Sequence, residues 1–225
     1  MSQSSPRHAG PVSELARPRP RFRGVSHRFA FYVAIAAGAV LVATARDARV
    51  AAATAIYAVL LAGMFGVSAT LHRTEWSPRA FGWLRRADHA MIFAFIAGTY
   101  TPLSVLGVGG ATGTKLLALA WTGAGLGIVR ALLWPHAPRI ITSILYVAVG
   151  WVVLAYLPSV HAALDPIAFD AVVAGGVCYT IGAAVYASRW PDPWPEVFGF
   201  HEVFHALIIA GCACHFVAVA RIAAS

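Results

Sequence analysis

The sequence predicts an all-α membrane protein, a bundle of seven transmembrane helices. Hydrophobic residues make up 59% of the 225-residue chain and charged residues only 12%, about half the charged fraction of an ordinary soluble domain. The apolar residues fall into seven runs of roughly 17 to 22 residues, long enough to cross the hydrocarbon core as helices. The runs cover approximately 29–45, 50–71, 88–108, 115–134, 140–157, 168–187 and 201–220.

The segments outside these runs are short. Residues 1–28 are rich in proline and arginine, which predicts a disordered basic tail at an anionic membrane surface, with His27 as an ordinary solvated side chain. The transmembrane domain then covers 29–220 and leaves a short tail at 221–225. The first run also resembles a signal peptide because Ala-Thr-Ala at 43–45 follows a basic region, but the long segment before it favours a retained helix.

The formal net charge of +8 is explained by membrane orientation rather than by nucleic acid binding. Basic residues concentrate in the tail and near the second and fourth loops. The positive-inside rule therefore predicts a multi-pass protein of the cell membrane, with a cytoplasmic N-terminus and, after seven crossings, a C-terminus outside. The three cysteines lie inside apolar runs without a CxxC pair, which argues against a disulfide framework or a thiolate zinc site. They are Cys178, Cys212 and Cys214.

The last apolar run opens with two histidines, His201 and His205, which share one face of a helix. Desolvating two imidazoles at a helix end is costly unless something binds them. The second run ends on the same side of the membrane with His72, one turn after Ser68, and the third run begins there with Asp88. Topology thus places five polar side chains at one depth, while the packing of the three helices stays open at this point.

Three imidazoles with one open coordination position are the ligand set of a catalytic zinc ion. Asp88 can hold the water or a ligand imidazole at such an ion, and Ser68 can donate a hydrogen bond to the water or to a substrate oxygen. Taken singly, His72 is explained as a partner of the helix dipole and Asp88 as a helix cap. Their coincidence in depth with His201 and His205 favours a metal site.

Residues 201–205 also match HExxH, the zinc protease pattern in which the glutamate is the general base. The pattern is common by chance, and no acidic residue follows Glu202 in the chain. The downstream His215 lies about 15 Å deeper than His205 on a helix, so a third ligand must come from upstream. Glu202 also points roughly 100° away from His201, which disfavours the protease interpretation.

Three ordered motifs carry a resemblance to a known family: Ser68 with His72, Asp88 with AGTYTP at 97–102, and FGxHxxxH at 198–205. With these motifs the chain resembles the haemolysin III proteins, the bacterial branch of the progestin and adiponectin receptor family. The resemblance implies a seven-helix bundle, N-terminus inside, with zinc near the cytoplasmic face.

The same resemblance assigns individual roles. The family's three zinc ligands correspond to His72, His201 and His205, the aspartate that orients the water at zinc to Asp88, and the adjacent serine to Ser68. Receptor members often carry glutamine where this chain has Glu202, which argues against an obligatory base there. The family is also similar to the alkaline ceramidases, which implies zinc-assisted hydrolysis of a lipid amide.

Three hypotheses of function follow. The first is a zinc-dependent hydrolase of lipid amides or esters, ceramidase-like, whose acyl substrates enter from the bilayer between helices. The second is a non-enzymatic membrane receptor or lipid sensor in which zinc is structural. The third is a pore-forming haemolysin, which the absence of a strongly amphipathic or charged run in the sequence disfavours.

Overall fold

The computed structural model describes residues 20–225, in which seven helices are long and apolar enough to span a membrane. An isolated bridge between Trp194 and Phe198 is the only β-type pairing in this range. The predicted all-α, seven-helix architecture is confirmed. The helices are α1 Val25–Ala43, α2 Ala48–Arg73, α3 Pro78–Val108, α4 Gly110–Leu133, α5 Arg139–Ala163, α6 Pro166–Ser188 and α7 Phe200–Ala224.

Short polar side chains begin three of these helices. Asp47 accepts a hydrogen bond from the Val50 N–H at the start of α2, which lowers the pKa of Asp47. Ser77 caps α3 and Asp165 caps α6, and each is followed by a proline. A side-chain oxygen at this position satisfies N–H groups that a helix leaves unpaired, and proline is well tolerated at the first helical residue.

The start of α3 differs from the sequence expectation. The helix begins at Pro78, about ten residues before the apolar run, so Asp88 lies some three turns inside it. The interpretation of Asp88 as a cap is therefore wrong. The additional turns carry several arginines, which hide the helix from a search for apolar runs, whereas the Ser77–Pro78 pair marks its true start.

Helices extend into both segments that the sequence predicts as tails. Residues 1–19 lie outside the described range, and α1 already begins at Val25, within the predicted basic tail. The N–H groups of Arg21 and Phe22 donate to carbonyls of the loop before α7, at 3.0 and 3.1 Å. At the other terminus α7 continues to Ala224 through the expected tail.

The helices pack in chain order from α1 to α4, α5 packs on α6 and α6 on α7, and α7 also contacts α1. One apolar core lies between α1, α2, α3 and α7 and includes Tyr57, Phe65 and Phe95. A second lies between α3, α4, α5, α6 and the end of α7 and includes Leu116 and Val160. The three cysteines are free thiols, as the sequence predicts.

The fifth helix is interrupted in the middle. Its α-helical hydrogen bonding ends at Gly150, and a 3-10 segment follows before the last α-helical turns. The Tyr100 hydroxyl donates to the Gly150 carbonyl at 2.6 Å and accepts from the Val153 N–H at 2.9 Å. A single phenol thus satisfies two backbone groups that the break releases, which a membrane interior requires.

Candidate metal centre

Three histidine rings meet where the end of α2 faces the start of α7. His72 lies in the last turn of α2, and His201 and His205 lie in the first two turns of α7. One ring nitrogen of each lies within 4.8 Å of the others, and His72 Nε2 is 3.2 Å from His201 Nε2. The expectation that the two helices bring these histidines to one depth is confirmed, and the helices are neighbours here.

Ser68 and Asp88 lie beside this cluster. Ser68 precedes His72 by one turn and is only 4% exposed. Asp88 reaches it from α3, so that its carboxyl group interacts with the Ser68 hydroxyl. Both side chains line the same cavity as the three histidines. The five side chains that the sequence singled out therefore come from three helices and gather in one place.

A sixth polar side chain, His27, belongs to this cluster but is not predicted by the sequence. It is 3% exposed rather than solvated, and its ring stacks on His205 with centroids 3.6 Å apart and planes 9° apart. Its Nδ1 is 2.9 Å from Ser68 Oγ. Extending the first apolar run back to Val25 is the signal that would have placed His27 on a helix.

Glu202 is occupied elsewhere. Its side chain is 2% exposed, one carboxylate oxygen lies 2.5 Å from Arg23 Nε, and the other accepts the Gly199 N–H at 2.9 Å. These bonds cap α7 and tie it to the segment before α1. The carboxylate is thus used by two structural partners, which removes the general base that a HExxH protease would need.

The segment before α1 lies against the two helices that carry the histidine cluster. Gly24 has a left-handed backbone with φ of 74°, a conformation that glycine adopts without strain. A Cβ atom at Gly24 would lie 2.7 Å from the Cβ of His72. Together with the ion pair between Arg23 and Glu202, this close approach brings the segment against both ligand-bearing helices.

A cavity of about 960 Å³ leads away from the cluster. The site residues, with Arg85 and Arg139, line one end, and the rest of the wall is mostly apolar with a few polar side chains such as Thr180 and His215. Ligand pockets have volumes of this order and combine apolar walls with a few polar groups that fix orientation. The apolar lining includes Phe95, Leu103, Val153, Val219 and Ile222.

The donor set is suitable for zinc. Three neutral imidazoles are common zinc ligands, and Zn–N bonds of 2.0–2.1 Å in a tetrahedron place the nitrogens roughly 3.4 Å apart. The separation of 3.2 Å between His72 Nε2 and His201 Nε2 fits this geometry. A ring nitrogen of His205 lies within 4.8 Å of a ring nitrogen of each of the other two. His205 Nδ1 is buried without a hydrogen-bond partner among residues 20–225.

The deeper histidine of α7 lies apart from this cluster. The His215 ring bonds the carbonyl oxygen of Val172 on α6 through Nε2 at 3.1 Å, and its ring packs against Tyr179. Within the described residues, His72, His201 and His205 form the one group of three or more ligating side chains close enough to share an ion. The expectation that His215 is too distant to join them is confirmed.

Fold and site together define a class of protein: a multi-pass, seven-helix membrane protein with a histidine cluster between its second and seventh helices. The chain belongs to the haemolysin-III-related family, whose model matches residues 15–216. This match covers almost the whole helical region, so the resemblance stated from the motifs is confirmed.

Relatives in bacteria and plants agree with this assignment. The chain is similar to Hemolysin-3 of Bacillus cereus, with 26% identity over 197 residues, 87% of each protein. It is 27% identical to the Hemolysin-3 homolog of Bacillus subtilis (strain 168) over 153 residues, 68% of this chain and 69% of the relative. It is 33% identical to the heptahelical transmembrane protein ADIPOR2 of Oryza sativa subsp. japonica over 173 residues, 68% of this chain and 74% of the relative.

Proposed function

We propose that this protein is a zinc-dependent membrane hydrolase of lipid amides or esters, with His72, His201 and His205 as the metal ligands. One observation carries the proposal: a cluster of three imidazoles stands beside Asp88 at the polar end of a mostly apolar cavity. Bound zinc supplies a Lewis acid that polarises a carbonyl group and makes water more acidic.

The neighbouring side chains supply the remaining chemistry. The Asp88 carboxylate accepts a proton from the water that attacks the carbonyl carbon and returns it to the amine or alcohol that leaves as the C–N or C–O bond breaks. The Ser68 hydroxyl has one proton, which it donates to the carbonyl oxygen or to that water once Asp88 is protonated and no longer accepts it. Ser68 keeps its own proton for this purpose when His27 Nδ1 carries the hydrogen of their 2.9 Å contact.

The substrate class follows from the shape and lining of the cavity. Its polar end holds histidine, aspartate and arginine side chains, while its depth is lined mainly by aromatic and aliphatic residues. An acyl chain fits the apolar part, and the amide or ester group then lies beside Asp88. Membrane lipids are therefore the expected partners, and an N-acylated lipid such as a ceramide is the first substrate to test.

The distribution of charge supports a cytoplasmic site. Ten arginines of the described chain lie at the end of the bundle with the histidine cluster, whereas four basic residues lie at the opposite end, and positive charge marks the cytoplasmic side. The N-terminus is then inside the cell and the C-terminus outside. The ten are Arg21, Arg23, Arg28, Arg73, Arg79, Arg85, Arg86, Arg130, Arg139 and Arg189; the four are Arg46, Arg49, Lys115 and Arg221.

A receptor or lipid sensor with structural zinc is the second candidate. It is favoured by the way the cluster joins the end of α2 to the start of α7, two helices that touch only over a short stretch. A metal ion held there would fasten the bundle whether or not chemistry takes place.

One experiment separates the two candidates. The purified full-length protein is analysed for bound metal and then incubated with ceramides and with ester phospholipids in mixed micelles, with released fatty acid measured by mass spectrometry. Asp88→Asn should retain zinc and lose at least about a hundredfold in rate, a usual loss for a general base. Asp170→Asn, at an exposed acid of α6, is the matched control and should behave as wild type. Zinc-loaded wild type that hydrolyses none of these lipids favours the receptor.

The names of the bacterial relatives suggest a third function, haemolysis. The same preparation, added to erythrocytes, tests this directly. The hydrolase proposal predicts that any lysis depends on Asp88, because it then arises from lipid hydrolysis. Lysis that survives Asp88→Asn and loss of zinc would favour a pore.

A further inference from the structure

His27 contacts two members of the site at once. Its ring lies face to face with His205, and its Nδ1 bonds Ser68 Oγ at 2.9 Å. Phe65 holds the ring from a third direction, edge to face, with centroids 5.0 Å apart. With 3% of its surface exposed, the ring has one defined position.

His205 lacks the usual means of orientation. A metal-ligating histidine normally donates its second ring N–H to a carboxylate or a carbonyl, which fixes the ring plane. His205 Nδ1 is buried and has no hydrogen-bond partner in the part of the chain that the structure describes. The one aromatic ring that lies parallel to the His205 ring among the described residues is that of His27, at an interplanar angle of 9°.

We propose that His27 is a positioning residue of the metal site, an inference that rests on the proposed function. The hydrogen bond to Ser68 and the edge contact with Phe65 hold the His27 ring. The face of that ring holds the His205 imidazole in the orientation that points a nitrogen at His72 and His201. His27 itself is outside the group whose nitrogens can share one ion. Its effect on the metal therefore passes through His205.

Two substitutions separate the stack from the hydrogen bond. Phenylalanine at this position, His27→Phe, keeps a planar ring against His205 and loses the bond to Ser68. His27→Asn places an amide near the position of Nδ1, so it can keep the bond but removes the ring. His215→Asn removes a half-buried ring from the same cavity without touching the cluster and is the matched control.

The readout is the affinity for zinc ions alone, measured on the full-length protein in detergent by competition with a chelating dye. Loss of a supporting contact around a metal ligand typically weakens metal binding by about 10- to 100-fold. The dissociation constant should therefore rise at least about tenfold in His27→Asn and stay within about threefold of wild type in His27→Phe and in His215→Asn. Equal weakening in His27→Asn and His27→Phe, or none in His27→Asn, would overturn the inference.

A second comparison remains decisive if His27→Asn does not fold. His27→Leu fills the same space without a planar ring, so it should raise the zinc dissociation constant as His27→Asn does. Ser68→Ala keeps the ring and loses only the hydrogen bond, so it should stay within about threefold of wild type. A Ser68→Ala protein weakened as much as His27→Leu contradicts the inference. Wild-type protein that binds no zinc overturns the proposed function together with this inference, whereas wild-type zinc binding that is insensitive to residue 27 overturns the inference alone.

Discussion

His72 Nε2 lies 3.2 Å from His201 Nε2, although 129 residues separate the two in the chain. Two imidazole nitrogens this close either share a proton in a hydrogen bond or point at one metal ion. The presence of His205 beside them favours a shared ion, because a hydrogen bond between His72 and His201 would not need a third imidazole. The contact also joins the second helix to the last, and this link defines the polar end of the cavity.

The ion pair between Arg23 and Glu202 should be structural. Glu202→Gln keeps an acceptor for the Gly199 N–H but removes the charge opposite Arg23, so the free energy of unfolding should fall by about 1–3 kcal/mol. Arg23→Gln should cost a similar amount, and the double variant little more than either alone. Chemical or thermal unfolding in detergent measures these changes.

The same variants discriminate against a zinc protease. Bound zinc and lipid hydrolysis should persist in folded Glu202→Gln because the carboxylate does not face the substrate in our account. Complete loss of hydrolysis in a stable, zinc-loaded Glu202→Gln protein would instead identify Glu202 as the general base.

Gly24 should be intolerant of a side chain. Gly24→Ala forces a left-handed backbone on alanine, at roughly 1–2 kcal/mol, and brings a methyl group to 2.7 Å from the Cβ of His72. We expect lower stability and a zinc dissociation constant raised about tenfold as His72 moves. The control is Gly125→Ala, where nothing lies within 4 Å of the new methyl group and a helix interior gains up to about 1 kcal/mol from alanine. Equal behaviour of both variants would exclude a role for the close approach.

Tyr100 should stabilise the break in α5. Tyr100→Phe removes the hydroxyl that serves both the Gly150 carbonyl and the Val153 N–H, so the unfolding free energy should fall by about 2 kcal/mol. Tyr32→Phe removes a hydroxyl from an exposed ring on α1 and should change it by less than about 0.5 kcal/mol. A neutral Tyr100→Phe would mean that other groups satisfy the break.

The orientation of the bundle can be tested with cysteine labelling. Two variants, Glu75→Cys and Asp47→Cys, are made in a background without the native cysteines. Residue 75 lies in the loop between α2 and α3, and residue 47 lies in the loop between α1 and α2. A membrane-impermeant maleimide added to intact cells should label residue 47 and spare residue 75. The reverse pattern would place the histidine cluster outside the cytoplasm.

Topology explains why much of the site could be predicted from sequence. Helices that alternate in direction across a membrane must bring the end of the second and the start of the seventh to one face, so His72 and His201 share a depth whatever the packing. The long apolar runs that establish this alternation are the strongest signal that a sequence carries. The contact between the two rings, however, depends on packing that apolar runs do not encode.

His27 and Arg23 show what sequence reasoning missed. Both lie in a basic stretch whose composition predicts a solvated tail. Composition alone cannot show that an arginine forms an ion pair with a buried glutamate 179 residues away. The amino-terminal turns of α3 were hidden for a related reason, since arginines at a membrane surface lower hydropathy without preventing a helix. For His27 and Arg23 the decisive partners are distant in the chain.

The most direct test of the account is the metal content of the purified protein, measured by elemental analysis after dialysis against metal-free buffer. We predict about one zinc ion per wild-type chain, which should be lost in His72→Ala and in His205→Ala and retained in His215→Ala. Wild-type protein without zinc, or zinc that remains when His72 and His205 are replaced, would contradict the central claim.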